Sequence, residues 1–168
     1  MDADTLRSLQ APLKARYREA PEAAQVTLRA SGRLGEGVTC SLETGRALAA
    51  AGLHPATGGS GAELCSGDML LEALVACAGV TLNAVATALA IPLRDARVTA
   101  EGDLDFRGTL GVDRDAPVGF AAIRLRFVLD TDADDAALAQ LLKLTERYCV
   151  VYQTIRHGPD VQVTLERA

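Results

Sequence analysis

The sequence predicts an α+β domain in which antiparallel sheets pack around two core helices. Three stretches predict this class. Residues 69–93 are apolar on almost every face of a helix, residues 120–130 alternate apolar and polar side chains, and residues 132–149 repeat apolar residues at helical spacing. A chain of 168 residues suits one domain with a substantial core.

The N-terminal segment is predicted to form an amphipathic helix. Leu6, Leu9, Leu13 and Tyr17 recur at steps of three and four residues within residues 2–20. This spacing places the four side chains on one apolar stripe. A proline follows directly and should close the helix.

An antiparallel hairpin is predicted next. Residues 25–33 alternate apolar and polar side chains, as a half-buried strand does, and residues 38–44 are expected to return beside them. The glycine-rich sequence RLGEG would lie at the tip. Residues 45–67 are expected to form a surface loop of the kind that often lies over functional sites.

The predicted core helix follows this loop. Ser66 is expected to cap it, Asp68 favours its first turn through the helix dipole, and Pro92 should end it. Because apolar residues cover nearly every side, we expect this helix to be the axis of the core.

The C-terminal half is predicted to continue with strands and a second helix. Residues 96–108 and 120–130 are expected to be strands, and Asp132 is expected to open a helix that ends at Cys149. After a Gly-Pro break, the sequence VQVTLE is predicted to form a short final strand.

Composition argues against several kinds of partner. Three Phe, three Tyr and no Trp offer little for stacking nucleobases, and the net charge is −5, so nucleic acid is not expected to bind. Glu72, Asn83 and Pro92 interrupt the apolar stretch, which favours a buried helix over a membrane span. No secretory leader is recognisable, so we expect a cytoplasmic protein.

The chain has four cysteines, Cys40, Cys65, Cys77 and Cys149. In a reducing compartment structural disulfides are scarce, so reactive or buried thiols are expected. Spacing alone leaves open whether Cys77, in the core helix, and Cys149, at the end of the second helix, are reactive or simply small and apolar. Because no Cys or His pair has CxxC or HxxxH spacing, no metal site is predicted.

The sequence around two of these cysteines resembles the OsmC/Ohr family, named for osmotically inducible protein C and the organic hydroperoxide resistance protein. GDMLLEALVACAGVTLNAV contains Cys77, and TERYCVV contains Cys149, 72 residues later. The resemblance implies the OsmC-like fold. It divides the chain into an N-terminal helical extension, residues 1–24, and an OsmC-like domain, residues 25–168.

The resemblance also implies a thiol-dependent peroxidase that uses no metal, haem or flavin. Cys77 matches the peroxidatic position and Cys149 the resolving one. In such a cycle the thiolate reduces an organic hydroperoxide and becomes a sulfenic acid, which condenses with the second thiol to a disulfide. A dithiol reductant, in the family often lipoyl-based, then restores both thiols.

A thiol with a pKa of about 8.5 is mostly protonated at neutral pH, so this chemistry needs a group that stabilises the thiolate. In the family an arginine from the hairpin does so, held by a carboxylate just before the core helix. Arg33 and Asp68 match these positions. Each also has a plain interpretation, Arg33 as a solvated hairpin charge and Asp68 as a helix-start acid.

Asp68 and Cys77 are not expected to meet within one chain. Nine residues of helix advance about 13 Å and turn by about 900°, so the two side chains face opposite sides. Asp68 is therefore expected to serve the cysteine of a second subunit. This agrees with the intertwined two-fold dimer typical of the family, and we predict a homodimer with two sites at its interface.

Departures from the family pattern keep alternatives open. Asp68 replaces the Glu of many relatives, and Val150 stands where classical peroxidases usually have Pro. A non-catalytic member that serves in a stress response or binds a small molecule is therefore a second hypothesis. Cys65, twelve residues before Cys77, is either a loop thiol or a competing resolving partner.

Overall fold

The computed structural model describes residues 3–34, 40–42, 51–62 and 64–167. Short 3-10 turns lie at Pro21–Ala24 and Pro55–Thr57. The remaining elements, in chain order, are α1 (Ala3–Glu19), β1 (Gln25–Leu34), β2 (Cys40–Leu42), β3 (Ala51–Gly52), β4 (Leu64–Cys65), α2 (Ser66–Ala88), β5 (Asp95–Asp105), α3 (Phe106–Thr109), β6 (Ala122–Asp130), α4 (Asp135–Tyr148) and α5 (Val150–Arg156).

The main sheet has four strands in the order β2-β1-β5-β6, and all its pairings are antiparallel. Its central pair is long, since β1 and β5 are in register from Gln25 opposite Asp105 to Arg33 opposite Arg97. The predicted α+β class with antiparallel strands and two core helices is confirmed. The small second sheet, β3 with β4, is parallel.

Helix α2 lies against the main sheet and forms the axis of the core, as predicted. Its Leu71, Leu74, Val75 and Ala78 are buried in one cluster with side chains of β5. Within the part of the chain that the structure describes, α2 is the one helix long and apolar enough to cross a bilayer. Its burial against the sheet accounts for this apolar character without a membrane.

Helix α4 covers the second half of α2. Leu82 and Val85 of α2, Ala96 of β5 and Leu141 of α4 form a second buried cluster. Thr145, one turn beyond Leu141, is also buried and donates its hydroxyl hydrogen to the Leu141 carbonyl at 2.8 Å. This packing fixes the C-terminal end of α4 against α2, where the two thiols lie.

Helix α1 docks through its C-terminal half. Tyr17 is buried with Ala24, Phe106 and Leu110 in a third cluster. The Tyr17 hydroxyl donates to the Ala56 carbonyl at 2.7 Å. The predicted helix is therefore confirmed, and Leu13 and Tyr17 of the predicted stripe pack in this cluster, whereas the side chains of Leu6 and Leu9 lie outside the described part of the chain.

Two helices begin at other residues than predicted. α2 starts at Ser66, so Cys65 rather than Ser66 occupies the N-cap position. Asp134, not Asp132, caps α4 by accepting a hydrogen bond from Ala137 N at 2.8 Å. Asp132 is instead bound by the guanidinium of Arg94, a strong charge-assisted partner that competes with a helix N–H.

One predicted strand also extends beyond the observed one. β5 stops at Asp105 because that carboxylate accepts the Arg107 N–H at 3.0 Å and starts the short helix α3. β2 is described at residues 40–42, and the rest of the predicted returning strand, residues 38–39 and 43–44, lies outside the described residues. The alternation that predicted the strand β6 is confirmed over Ala122–Asp130.

The predicted final strand is wrong for the single chain. Residues 158–167 form neither helix nor strand and pair with no described strand, and Val161, Val163 and Leu165 are almost fully exposed. A strand needs a hydrogen-bonded neighbour, and alternation alone does not supply one.

Candidate active site

Cys77 and Cys149 lie in contact although 72 residues separate them in the chain. Cys77 lies near the middle of α2, and Cys149 is the single extended residue that joins α4 to α5. Both side chains pack in one apolar cluster, where each shifts the pKa of the other. The packing of α4 and α5 on α2 thus brings together the two thiols that the resemblance pairs.

Four donor groups near Cys77 lower the pKa of its thiol. Burial by itself raises the pKa of this thiol, but hydrogen bonds from Val151 N–H, the Cys149 thiol, Val150 N–H and the Thr81 hydroxyl outweigh it. The pKa of Cys77 therefore lies below the ordinary value for a cysteine. Each donor is better bound by a thiolate than by a thiol, so the site favours the anion.

Cys149 has the opposite character. Burial, together with its hydrogen bond to Cys77, raises the pKa of Cys149 to about 11. Its sulfur also accepts a hydrogen bond from Tyr152 N at 3.5 Å and so caps the start of α5. One thiol of the pair is therefore suited to be the anion, and its neighbour is suited to hold a proton.

The two charged candidates, Arg33 and Asp68, lie elsewhere in the single chain. Arg33 places its Nε 3.8 Å from Asp95 Oδ1 at the surface of the sheet. Burial raises the pKa of Asp68, and nearby His54 partly offsets this. Neither contact involves Cys77, so the roles that the resemblance implies for Arg33 and Asp68 stay predictions.

Cys65 has no part in this pair. Cys65 directly precedes α2, and twelve residues of helix place it about 18 Å along the axis from Cys77. That separation disfavours Cys65 as a resolving partner within one chain. Among the described residues no group of His, Cys, Asp and Glu has the arrangement of a metal site.

A cavity of about 890 Å³ opens between α2, β6 and the helices α4 and α5. Cys149 lies in its wall. Most of the lining is aliphatic or aromatic, including Leu74, Leu125, Phe127, Leu138, Leu142 and Ile155. An apolar molecule in this cavity would therefore contact Cys149, beside Cys77, although Arg126, Glu146 and Arg156 also line the cavity.

Sequence reasoning missed the groups that stabilise the Cys77 anion. Two of them are backbone N–H groups of α5, and backbone groups leave no mark in a residue pattern. Thr81 did carry a signal, because it follows Cys77 by four residues and so lies on the same face of α2.

The structure thus combines a mixed α+β fold with two neighbouring thiols whose pKa values are shifted in opposite directions. The chain belongs to the family of OsmC-like proteins, whose family model matches residues 59–164. That match contains both cysteines and excludes α1.

A solved structure gives independent support for the fold. The chain is similar to an OsmC-like hydroperoxide resistance protein from Jannaschia sp. CCS1, with a TM-score of 0.63 and 14% sequence identity. The alignment covers 86% of this chain and 95% of that one. At this identity the likeness concerns the fold. No curated protein sequence matches the chain.

The opposite acidities predict selective alkylation. Iodoacetamide reacts with thiolates, so modification of Cys77 should rise at lower pH than an ordinary cysteine requires, and that of Cys149 only as the pH approaches about 11. Peptide mass spectrometry across a pH series measures both. Thr81→Val should move the Cys77 profile to higher pH because it removes one donor to the thiolate.

Thr87→Val is the matched control, since Thr87 lies on the same helix and donates to Asn83 O at 2.8 Å. It should leave the Cys77 profile unchanged. Equal pH profiles for Cys77 and Cys149 would contradict the assigned acidities.

Proposed function

We propose that this protein is a thiol-dependent peroxidase that reduces organic hydroperoxides through a cycle of two cysteines. The observation that carries the proposal is the contact between Cys77, whose pKa is lowered, and Cys149, whose pKa is raised. Membership of the OsmC-like family and the likeness to a hydroperoxide resistance protein support the same class of activity.

The proposed first step is attack by the Cys77 thiolate on the outer oxygen of a hydroperoxide, ROOH. The O–O bond breaks, the alkoxide leaves and takes up a proton as ROH, and the sulfur becomes a sulfenic acid. The neighbouring Cys149 thiol, whose raised pKa keeps it protonated, can supply that proton. The pair thereby supplies both a nucleophile and an acid.

The second step joins the two sulfurs. Having given its proton to the alkoxide, Cys149 is a thiolate, which attacks the sulfenic sulfur of Cys77 and forms the disulfide. The hydroxide that leaves takes a proton from solvent and becomes water. Because the side chains are already in contact, little helix movement is needed. A dithiol then returns two electrons and two protons and restores both thiols, so the cycle needs no metal, haem or flavin.

The apolar cavity supports an organic substrate over hydrogen peroxide. Its aliphatic and aromatic lining favours binding of an alkyl or aryl group, at roughly 25 cal/mol for each Å² of apolar surface buried. Hydrogen peroxide has no such group, so the apolar lining does not favour its binding.

Counting free thiols tests the proposal. One equivalent of cumene hydroperoxide should lower the count from four to two, and peptide mapping should find a single disulfide between Cys77 and Cys149. The variant Cys65→Ser is the control, with an expected fall from three to one. If all four thiols remain free, the protein is instead a non-catalytic family member that keeps the fold and the cavity.

The working form in this proposal is a homodimer. Helix α2 exposes Met69, Leu70 and Val80, which is unusual for a core helix. The C-terminal segment adds alternating, exposed apolar residues, Val161, Val163 and Leu165, which pair with no described strand. A second copy can cover both surfaces, and Arg33 and Asp68 are proposed to complete the sites across that interface.

A charge on the exposed face of α2 should break the dimer. Val80→Glu is expected to raise the dimer dissociation constant at least about a hundredfold, because it places an unpaired carboxylate in an apolar interface. Sedimentation velocity over a concentration series measures the change. Val118→Glu, on an exposed loop, should leave the constant unchanged, and a wild-type chain that sediments as a monomer throughout would refute the dimer.

A further inference from the structure

The corner between α4 and α5 is basic, although the chain as a whole carries a net charge of −5. Lys143, Arg147 and Arg156 line a surface recess there with a single carboxylate, Glu146. None of the three cations is ion-paired with a residue that the structure describes. We call this region the basic recess.

Aromatic and apolar side chains lie among these charges. Tyr148 is 59% exposed and Val150 is 70% exposed. The Arg147 guanidinium lies 5.7 Å from the Tyr148 ring centroid, and Arg156 donates to the Tyr152 hydroxyl at 3.1 Å. Tyrosine and arginine are the residue types that carry most binding energy at protein interfaces. The basic recess therefore has the composition of a protein-binding surface.

The basic recess lies directly outside Cys149. Tyr148 and Val150 are its neighbours in the chain, while Cys149 itself is buried. Glu146, Tyr152 and Arg156 line both the basic recess and the apolar cavity that contains Cys149. A partner bound at the recess therefore lies beside an opening that leads to one sulfur of the pair.

We propose that the basic recess is the docking surface for the reductant, and that this reductant is an acidic protein segment that carries a dithiol. The inference rests on the proposed function and names the partner of that same site. Negative charge on the segment would complement Lys143, Arg147 and Arg156. Its flexible dithiol would then enter the opening beside Cys149.

The position of the recess sets the order of bond changes. A thiolate of the carrier attacks Cys149 Sγ, the disulfide breaks, and Cys77 leaves as a thiolate. The second carrier thiol, after losing its proton, attacks the mixed disulfide and releases Cys149, which takes up a proton. Two electrons pass from the carrier, which ends as a disulfide. The hydrogen bonds that favour the Cys77 anion make it the better leaving group.

The reduction step can be tested apart from peroxide chemistry. The disulfide is first formed with diamide, so that the test does not depend on reaction with hydroperoxide. Its reduction is then timed with three probes: dithiothreitol, a dithiol-bearing peptide with four glutamates, and the same peptide with four glutamines. At low salt the glutamate peptide should react at least about tenfold faster than the glutamine peptide, and high salt should remove the difference.

The double variant Lys143→Glu, Arg147→Glu should lose the preference for the glutamate peptide and keep its rate with dithiothreitol. Arg16→Glu, Arg18→Glu lowers the net charge by the same amount at exposed positions of α1, and this control should keep the preference. Equal wild-type rates with the two peptides, or an equal loss in the α1 variant, would overturn the docking surface. Failure of cumene hydroperoxide to form the disulfide would instead overturn the peroxidase while leaving this test valid.

Discussion

Replacement of Cys77 by serine is expected to lower hydroperoxide turnover at least about a thousandfold. A serine hydroxyl at this position is not ionised at neutral pH and is not oxidised by a peroxide, so the first step has no nucleophile. Consumption of cumene hydroperoxide in the presence of excess dithiothreitol measures turnover. Cys65→Ser should retain wild-type turnover and serves as the control.

Cys149→Ser separates the two halves of the cycle. The variant should still react once, and in excess peroxide Cys77 should then proceed to the sulfinic and sulfonic acids, which intact mass spectrometry detects as added oxygen atoms. Wild-type turnover in Cys77→Ser would disprove the peroxidatic assignment. Wild-type resistance to overoxidation in Cys149→Ser would disprove the resolving one.

The second large effect concerns stability. Leu74→Ala should lower the free energy of unfolding by about 2–5 kcal/mol, because it opens a cavity in the tightly packed layer between α2 and the sheet. Leu74 is 2% exposed, whereas Leu70 on the same helix is 40% exposed. Leu70→Ala should therefore cost less than about 1 kcal/mol.

Urea denaturation of both variants in the Val80→Glu background measures these effects on the separated chain. In that background the proposed dimer contributes no stability, so the comparison isolates packing within one subunit. Equal losses for Leu70→Ala and Leu74→Ala would contradict the side of α2 assigned to the core.

The helices and strands that form the core were predictable because burial requires apolar residues at regular intervals along the chain. α2 is apolar around its circumference, β6 alternates strictly, and α4 repeats at helical spacing, so each had one stable placement. The ends were less predictable because local polar groups decide them. Arg94 binds Asp132 and leaves the cap of α4 to Asp134, and such a contact joins residues far apart in the chain.

The final strand failed for a different reason. VQVTLE has the right alternation, but a strand is completed only by a neighbour, and its own sheet offers none. The same residues remain the natural candidate for pairing across the proposed dimer. The alternation therefore predicted that this segment can form a strand, but it could not indicate which chain would pair with it.

The candidate site was likewise predictable only in part. The resemblance identified Cys77 and Cys149, and the fold brings them into contact. The expected source of thiolate stabilisation was a guanidinium, whereas the single chain uses neutral donors from Thr81 and from the backbone at Val150 and Val151. Those backbone groups arrive through the packing of α5, which no short motif around Cys77 describes.

The junction at Cys149 connects thiol chemistry to the order of a helix. In the dithiol form its sulfur accepts the Tyr152 N–H, while the Val150 and Val151 N–H groups bind the sulfur of Cys77. A disulfide carries no negative charge, so on oxidation these N–H groups lose the anion that held them. The first turn of α5 is then expected to loosen. A reductant could therefore distinguish the disulfide form from the dithiol form by the mobility of this turn.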